Sequence, residues 1–597
     1  MKKLLFALFL VVNTTHFSQA QDKRLAGIDT AIARILKEFN AVGVTVSVVE
    51  KNNVLLAQGY GYKDLDSKKS VTPQTLFQIG SCSKAFTTTL MGMLMDEKLL
   101  DFNKPVSEYM PELKFKDDNL TKNVTTTDMM THRTGLPRHD LAWYLRGATT
   151  SRAEVLKSVR YFEASAGLRE TWQYNNFMFM AQGALAEKLT GKTWEKLVQE
   201  RIFDPLSMKS SKHSTADMLK SADYSFGYSY NEKKKKIKQE DAYHFSGMEP
   251  AGSIASNAKD MSEWLKVWIN VGKHNGKELF SSNFYNQAIK TQMSTANTPD
   301  KRELNLFTYG YGFGWFIKGY KGHHLVEHGG NIDGFSSTTA FYPNDSIGIF
   351  VSVNQNGSAV QGVIRNWISD RLLNVEKTDW VLQIKPKKDD KKEDKKDDKQ
   401  ADLGQKKGTK MTHNMADYVG KYKNDGYGTI VVFKNDTSLF AFFGKDTARL
   451  AHYHYDVFKL VSDKLEEEDD EEGGLKFRFN IGYDGDISSM DAKLESALKS
   501  EIVFAKEAAE IKVTAADLKK YEGEYTISGA TVKVAVKDNA LRMTVPGQPE
   551  YELLPSKTDE FKLKGIDGFA VRFEVKEGKA TAAYSIQPNG TFKMMRK

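Results

Sequence analysis

Ser81 and Lys84, in the stretch GSCSKAFT at residues 80 to 87, stand three positions apart where a helical pattern begins. A serine hydroxyl is unreactive at neutral pH and becomes a nucleophile only beside a base. A lysine one helical turn away can be that base if burial leaves it neutral, or can hold another base ionised if it stays charged. At i and i+3 the two side chains share one helix face. The helix start offers a second advantage, because its free backbone N–H groups can stabilise a developing oxyanion. A capped helix start uses the same residue types. Ser-x-x-Lys also recurs at Ser256 to Lys259 and Ser496 to Lys499, so the spacing alone decides nothing.

Two further clusters could complete such a site. In WQYNNFMFMAQGALAEKLTG, Tyr174 and Asn176 precede a helix carrying Phe179, Gly183, Leu185 and Leu189. A tyrosine near a lysine can shuttle a proton and an asparagine can hold a substrate amide, although aromatic packing at a loop-to-helix junction accounts for the same residues. In EHGGNIDGFSS, His328, Gly329 and Gly330 precede strands expected through TTAFYPND and SIGIFVSVN. Glycines there let a backbone approach closely, and the N–H of Asn331 is a candidate second oxyanion donor. His324 to His328 also reads HLVEH, a zinc-protease pattern. That pattern requires a helix, and Gly322, Gly329 and Gly330 crowd both ends of the segment. No metal or other cofactor is expected.

The elements that must position these residues follow from the rest of the chain. Its 597 residues, 40% hydrophobic and 27% charged, suit two to four domains. The net charge of +8 is small for this length and the lysines are interspersed with acids, which argues against nucleic acid as a partner. MKKLLFALFLVVNTTHFSQAQ has a basic pair, an apolar run from Leu4 to Val12 and a small-residue site ending at Ala20. This is the pattern of a secretory leader over residues 1–20, so a periplasmic or secreted location without a transmembrane anchor is expected. Cys82 is the one cysteine, which excludes an intrachain disulfide and reads as a small packing residue.

Residues 21–385 mix helical and strand periods. Phe86, Leu90, Met93 and Leu94 form an apolar helical stripe, and VGVTVSVVEKNNVLLAQGYGYKD alternates like two strands joined at Lys51 to Asn53. Residues 386–411 are almost devoid of apolar side chains and read as a flexible linker. Beyond it the chain repeats itself. Tyr418, Gly420 and Tyr422 recur as Tyr521, Gly523 and Tyr525, and DVFKL from Asp456 recurs as DEFKL from Asp559. Residues 412–508 and 509–597 are therefore two copies of a small antiparallel barrel or sandwich. The acidic run LEEEDDEEGG at 465–474 reads as a solvated hairpin loop, since it lacks spaced ligands for calcium.

The order Ser81-Cys82-Ser83-Lys84, Tyr174-Asn175-Asn176, His328-Gly329-Gly330 resembles the serine β-lactamase and penicillin-binding superfamily, in its class C-like or S12 peptidase branch. THRTGLP from Thr131, IFDPLSM from Ile202 and PAGSIASNAKDMSEWL from Pro250 are similar to further segments of that family, and the likeness spans roughly residues 25 to 375. The resemblance implies an α/β (α+β) serine hydrolase domain, an antiparallel sheet flanked by helices plus an all-α region, ahead of the two β repeats. It implies that Ser81 forms an acyl-enzyme, that Lys84 and Tyr174 manage its proton and that Asn176 orients the ligand. His328 and Gly330 would line the site, with the N–H groups of Ser81 and Asn331 as oxyanion hole. It gives Ser256 no nucleophilic role, and Ser496 lies outside the resemblance.

Where class C β-lactamases carry Lys-Thr-Gly this chain carries His328, as D-aminopeptidases do, which favours small peptides, amides or esters over β-lactams as substrates. The appended repeats also resemble the D-aminopeptidase architecture. The alternatives are a β-lactamase, or a penicillin-binding-like sensor with little turnover. A third is a carbohydrate- or protein-binding role for the repeats, with Tyr427, Tyr453 and Tyr455 as exposed-looking aromatics more simply explained by strand packing. The expected partner is a small molecule or short peptide, with homo-oligomer contacts through the C-terminal β domains also allowed.

Overall fold

The computed structural model describes residues 22–146, 149–242, 246–295, 306–385, 404–461, 474–507, 513–527, 529–566 and 568–597. The expected leader, positions 386–403 of the linker and 465–473 of the acidic run lie outside the described residues. Two compact units form: one comprises Met1–Lys98, Glu195–Ala242 and Gly252–Pro386, the other Leu99–Trp194, Tyr243–Ala251 and Lys387–Lys597.

The first unit is built on a sheet of eight strands, β1 (Gly43–Glu50), β2 (Asn53–Asp64), β3 (Lys69–Ser70), β4 (Leu306–Tyr311), β5 (Phe316–Tyr320), β6 (His323–Ile332), β7 (Phe335–Tyr342) and β8 (Ile347–Val353), in the order β4-β5-β6-β7-β8-β1-β2-β3. Neighbouring strands run antiparallel, with Val46 opposite Val351 and Gly330 opposite Ser337. The expected hairpin forms, with Lys51 at its turn in the left-handed region at φ 52°.

Alternation along β1 assigns its two faces. Val44, Val46 and Val48 join Ile28, Ile32 and Ile35 of helix α1 (Ile28–Glu38), and also Val363, Ile364 and Ile368 of a C-terminal helix, in one buried core. Ser47 points the other way, its hydroxyl 2.7 Å from that of Ser262. Helix α2 (Lys84–Asp96) is buried on every side from Lys84 to Leu94, so the apolar stripe understated its burial. Phe86 stacks on Trp264 with centroids 3.9 Å apart.

The second unit joins a helical region to two closed antiparallel barrels. Its longest helix, α3 (Asn176–Thr190), starts at an N-cap in which the Asn175 side chain accepts from the Met178 N–H. Each barrel has eight strands, from Gly420–Asn424 to Ile502–Lys506 and from Gly523–Ile527 to Gly590–Arg596. The duplicated residues do the same work in both copies. Tyr422 donates to the Tyr418 carbonyl at 2.8 Å and Tyr525 to the Tyr521 carbonyl at 2.8 Å. The hydroxyls of Tyr418 and Tyr521 donate to Asp456 and Asp559. Tyr427 and Tyr453 are buried, in agreement with the packing reading of the sequence, while Tyr455 is exposed. No helix among the described residues is long and apolar enough to cross a membrane.

Candidate active site

Ser81 is the second residue of a tight turn, Gly80–Ser83, that runs directly into α2. It is therefore not the cap of the α-helix. First-turn amides have no intrahelical acceptor, so the position suits an oxyanion donor even without the cap. Gly80 has φ +52°, and a side chain on it would meet the Asn331 amide nitrogen at 3.0 Å. The turn is braced from below: Ser83 Oγ donates to the Gly80 carbonyl at 2.7 Å and accepts from the Ile254 N–H at 3.1 Å. The Ile79 N–H in turn donates to the Ile254 carbonyl at 2.9 Å. The segment around Ser256 thus supports the Ser81 turn, and Ser256 itself is buried with its hydroxyl 2.8 Å from that of Ser211.

Lys84 is fully buried, and its Nζ lies 3.0 Å from Ser81 Oγ in a hydrogen bond. Cys82, between the two serines, is buried with its thiol donating to the His328 carbonyl at 3.1 Å. Burial pushes that thiol up to about 12, which leaves it protonated and inert.

Strand β6 lies along the Ser81 turn. A methyl group on Gly330 would collide with the Ile79 carbonyl oxygen and stand 3.0 Å from the Ser81 amide nitrogen, so only glycine permits this approach. HLVEH is part of this strand, without the helix that a zinc site of that pattern requires. His328 is 2% exposed and packs between Tyr311 and Phe316. The Gly329 carbonyl, 2.6 Å from Nδ1, can only accept, so Nδ1 carries the proton and Nε2 accepts from the Tyr311 hydroxyl at 2.8 Å. Burial first, then the nearby Lys84 charge, lowers the ring's pKa to about 3. His328 is thus a neutral, buried ring. Tyr311 was missed in the sequence, where nothing in YGYGFGW points to a histidine two strands away.

Tyr174 and Asn176 belong to the second unit. Tyr174 packs on His132 with ring centroids 4.3 Å apart, and the Arg138 guanidinium sits 4.9 Å from its ring centre. The Asn175 N–H donates to His132 Nδ1 at 3.1 Å, tying the THRTGLP segment to the tyrosine loop. Asn176 Nδ2 donates to Asp140 Oδ1 at 3.0 Å. Arg138 and Asp140 had no sequence signal beyond their nearness to that segment. Asp128 anchors the same region, its buried carboxylate accepting from Arg169 at 2.8 Å and from Arg133 at 2.6 Å.

Residues 28–372 match the model of the family described as Beta-lactamase. The chain belongs to the beta-lactamase family. Residues 404–506 match a second model, a domain of unknown function (DUF3471). Among curated relatives, an unguisins hydrolase of Aspergillus campestris is 30% identical over 344 residues, 56% of this chain and 62% of that protein. The chain therefore spans less than two thirds of that relative's length. Protein flp of Staphylococcus aureus is 24% identical over 361 residues, 60% of this chain and 68% of flp. Among solved structures, the octameric penicillin-binding protein homologue from Pyrococcus abyssi shares the fold at a TM-score of 0.53 and 18% identity, over 80% of this chain and 99% of that one.

Proposed function

We propose that this family member is an exported hydrolase that passes through an acyl-Ser81 intermediate on small peptide, amide or ester substrates, D-amino-acid-containing ones among them. The observation that carries the reading is the 3.0 Å hydrogen bond between Lys84 Nζ and Ser81 Oγ beneath the close-packed Gly330 backbone. In the neutral form of Lys84, proton transfer from Oγ to its amine frees the oxygen to attack the substrate carbonyl carbon, and the resulting oxyanion sits between the N–H groups of Ser81 and Asn331. Collapse breaks the bond to the amine or alcohol, which leaves with a proton relayed through Lys84 and Tyr174. Water then attacks the acyl carbon while the Lys84 amine takes one of its protons, and the bond from the acyl carbon to Oγ breaks, releasing the acid as Lys84 returns that proton to Ser81. Asn176 would hold the substrate amide.

The neutral ring of His328 supports the amide and ester reading, because it offers no positive charge to the carboxylate that a β-lactam carries. Export rests on the leader pattern ending at Ala20. The test is reaction with a fluorophosphonate and a labelled penicillin, followed by mass spectrometry of the modified peptide. Label should fall on Ser81, and equal labelling of Ser81→Ala would sink the assignment. Rapid turnover of a D-amino-acid amide supports an aminopeptidase or amidase. Slow trapping without turnover would point instead to a penicillin-binding-like sensor.

A further inference from the structure

Within the second unit, a buried histidine, His139, is among the residues that join the first barrel to the helical region. His139 stands in the left-handed region at φ 50°, which residues other than glycine adopt infrequently. Both its backbone and its ring are held by barrel residues. Its N–H donates to Glu495 Oε2 at 2.8 Å, and Nδ1 lies 2.7 Å from the Tyr427 hydroxyl. Nε2 lies 2.9 Å from the Glu163 carbonyl, which can only accept, so Nδ1 is the acceptor and Tyr427 the donor. Burial lowers the ring's pKa, consistent with that neutral form. The ring also stacks on Phe162 at 4.5 Å.

The contact is built rather than incidental. Arg146 donates to the carbonyls of Asp425 and Gly426 at 2.7 and 2.9 Å, and Ser500 donates to Glu163 at 2.9 Å. Asn424 shapes the turn that carries Tyr427 by accepting from the N–H groups of Gly426 and Tyr427 at 2.9 and 3.0 Å. The second barrel, which keeps the structural tyrosines, has Ala530 after Gly529 where the first has Tyr427 after Gly426. The docking residue belongs to one copy alone.

The neighbours of His139 are the residues that hold Tyr174 and Asn176. Arg138 lies over the Tyr174 ring, and Asp140 accepts from Asn176 on one oxygen and from Arg138 at 2.6 Å on the other. We infer that the first barrel is a positioning element of the active site, its Tyr427 and Glu495 fixing His139 so that Arg138 and Asp140 set the side chains of Tyr174 and Asn176. This rests on the proposed acyl-serine reading, in which those two side chains handle the proton and the substrate amide. In this reading the barrel acts through the His139 segment and is a positioning element rather than a catalytic one.

The test uses the full chain, with D-alanine p-nitroanilide as the amide probe and a fluorophosphonate as the reporter of Ser81. Tyr427→Phe removes one buried hydrogen bond with little change of shape, and should lower kcat on the anilide about threefold to tenfold. Glu495→Ala should do the same. In an Arg138→Ala/Asp140→Ala background neither change should cost anything further, because both links they act through are gone. Tyr521→Phe, in the other barrel, should leave turnover unchanged. Additive losses in the combined variants, unchanged turnover, or a lowered unfolding temperature with wild-type kcat would each overturn the barrel's role. Wild-type labelling of Ser81→Ala would instead overturn the acyl-serine reading, and this inference with it.

Discussion

Gly330 lies against Ile79 so closely that the carbonyl oxygen of Ile79 occupies the space a side chain would need. Gly329, one residue earlier, points its missing side chain at open space bounded by the Ser337 carbonyl at 3.7 Å. Gly330→Ala should push β6 away from the Ser81 turn and lower turnover by about a hundredfold or more, the scale of losing an oxyanion donor. Gly329→Ala should remain near wild type. Steady-state kinetics on an ester probe checks the pair, and equal effects at both positions would mean that close packing on the turn is not what matters.

Lys84→Ala should slow labelling of Ser81 by about 10²- to 10⁴-fold, the usual contribution of a proton-transfer partner. Lys84→Arg keeps a cation but cannot accept a proton, so it should be comparably slow. The rate of fluorophosphonate labelling measures both. Near-native labelling of the arginine variant would show that Lys84 contributes charge rather than proton transfer.

His328 ties stability to pH. Its pKa in the folded chain is lowered to about 3 by burial and by Lys84, whereas an unfolded histidine titrates near 6.5. The unfolded state therefore binds the extra proton first, and stability present above about pH 6.5 is lost as pH falls towards about 3. Denaturant midpoints at several pH values should fall less steeply for His328→Asn than for wild type, and identical slopes would remove His328 as the cause. Tyr311→Phe should lower stability by about 1–3 kcal/mol at neutral pH, because the buried Nε2 loses its donor.

Tyr525→Phe removes a buried hydrogen bond to the Tyr521 carbonyl and should weaken the second barrel by about 1 kcal/mol. Hydrogen exchange in peptides from residues 523–597 should rise without a change in ester turnover. Protection equal to wild type would show that the repeated tyrosine bond carries no stability.

Much of the site's outline is legible in the chain because its signals are local. Ser81 and Lys84 meet because i and i+3 share a helix face, and the glycines of β6 mark a close approach whatever lies opposite. The strands at Gly43–Glu50 and Ile347–Val353 follow from alternation, although their adjacency does not. The helical stripe in α2 missed that its remaining faces are covered too, since periodicity reports the strongest face and not the number of neighbours. Packing accounts for Tyr427 in the sequence, but its partner His139 was not legible there, because a barrel's own pattern does not reveal the surface on which the barrel docks.

The sequence by itself determined the order of the motifs, the family they belong to and the duplication of the barrel unit. Those are properties of spacing along one chain, and the bonds that repeat, such as Tyr422 to Tyr418 and Tyr525 to Tyr521, join residues four positions apart. Tertiary structure decided that His328 is neutral, that Gly330 abuts Ile79 and that Tyr427 holds His139. The last two bring together residues on separate elements, and Tyr427 lies 288 positions from its partner. Such pairings are set by which surfaces exclude water together, and burial then fixes the protonation state and the backbone conformation that no local pattern specifies.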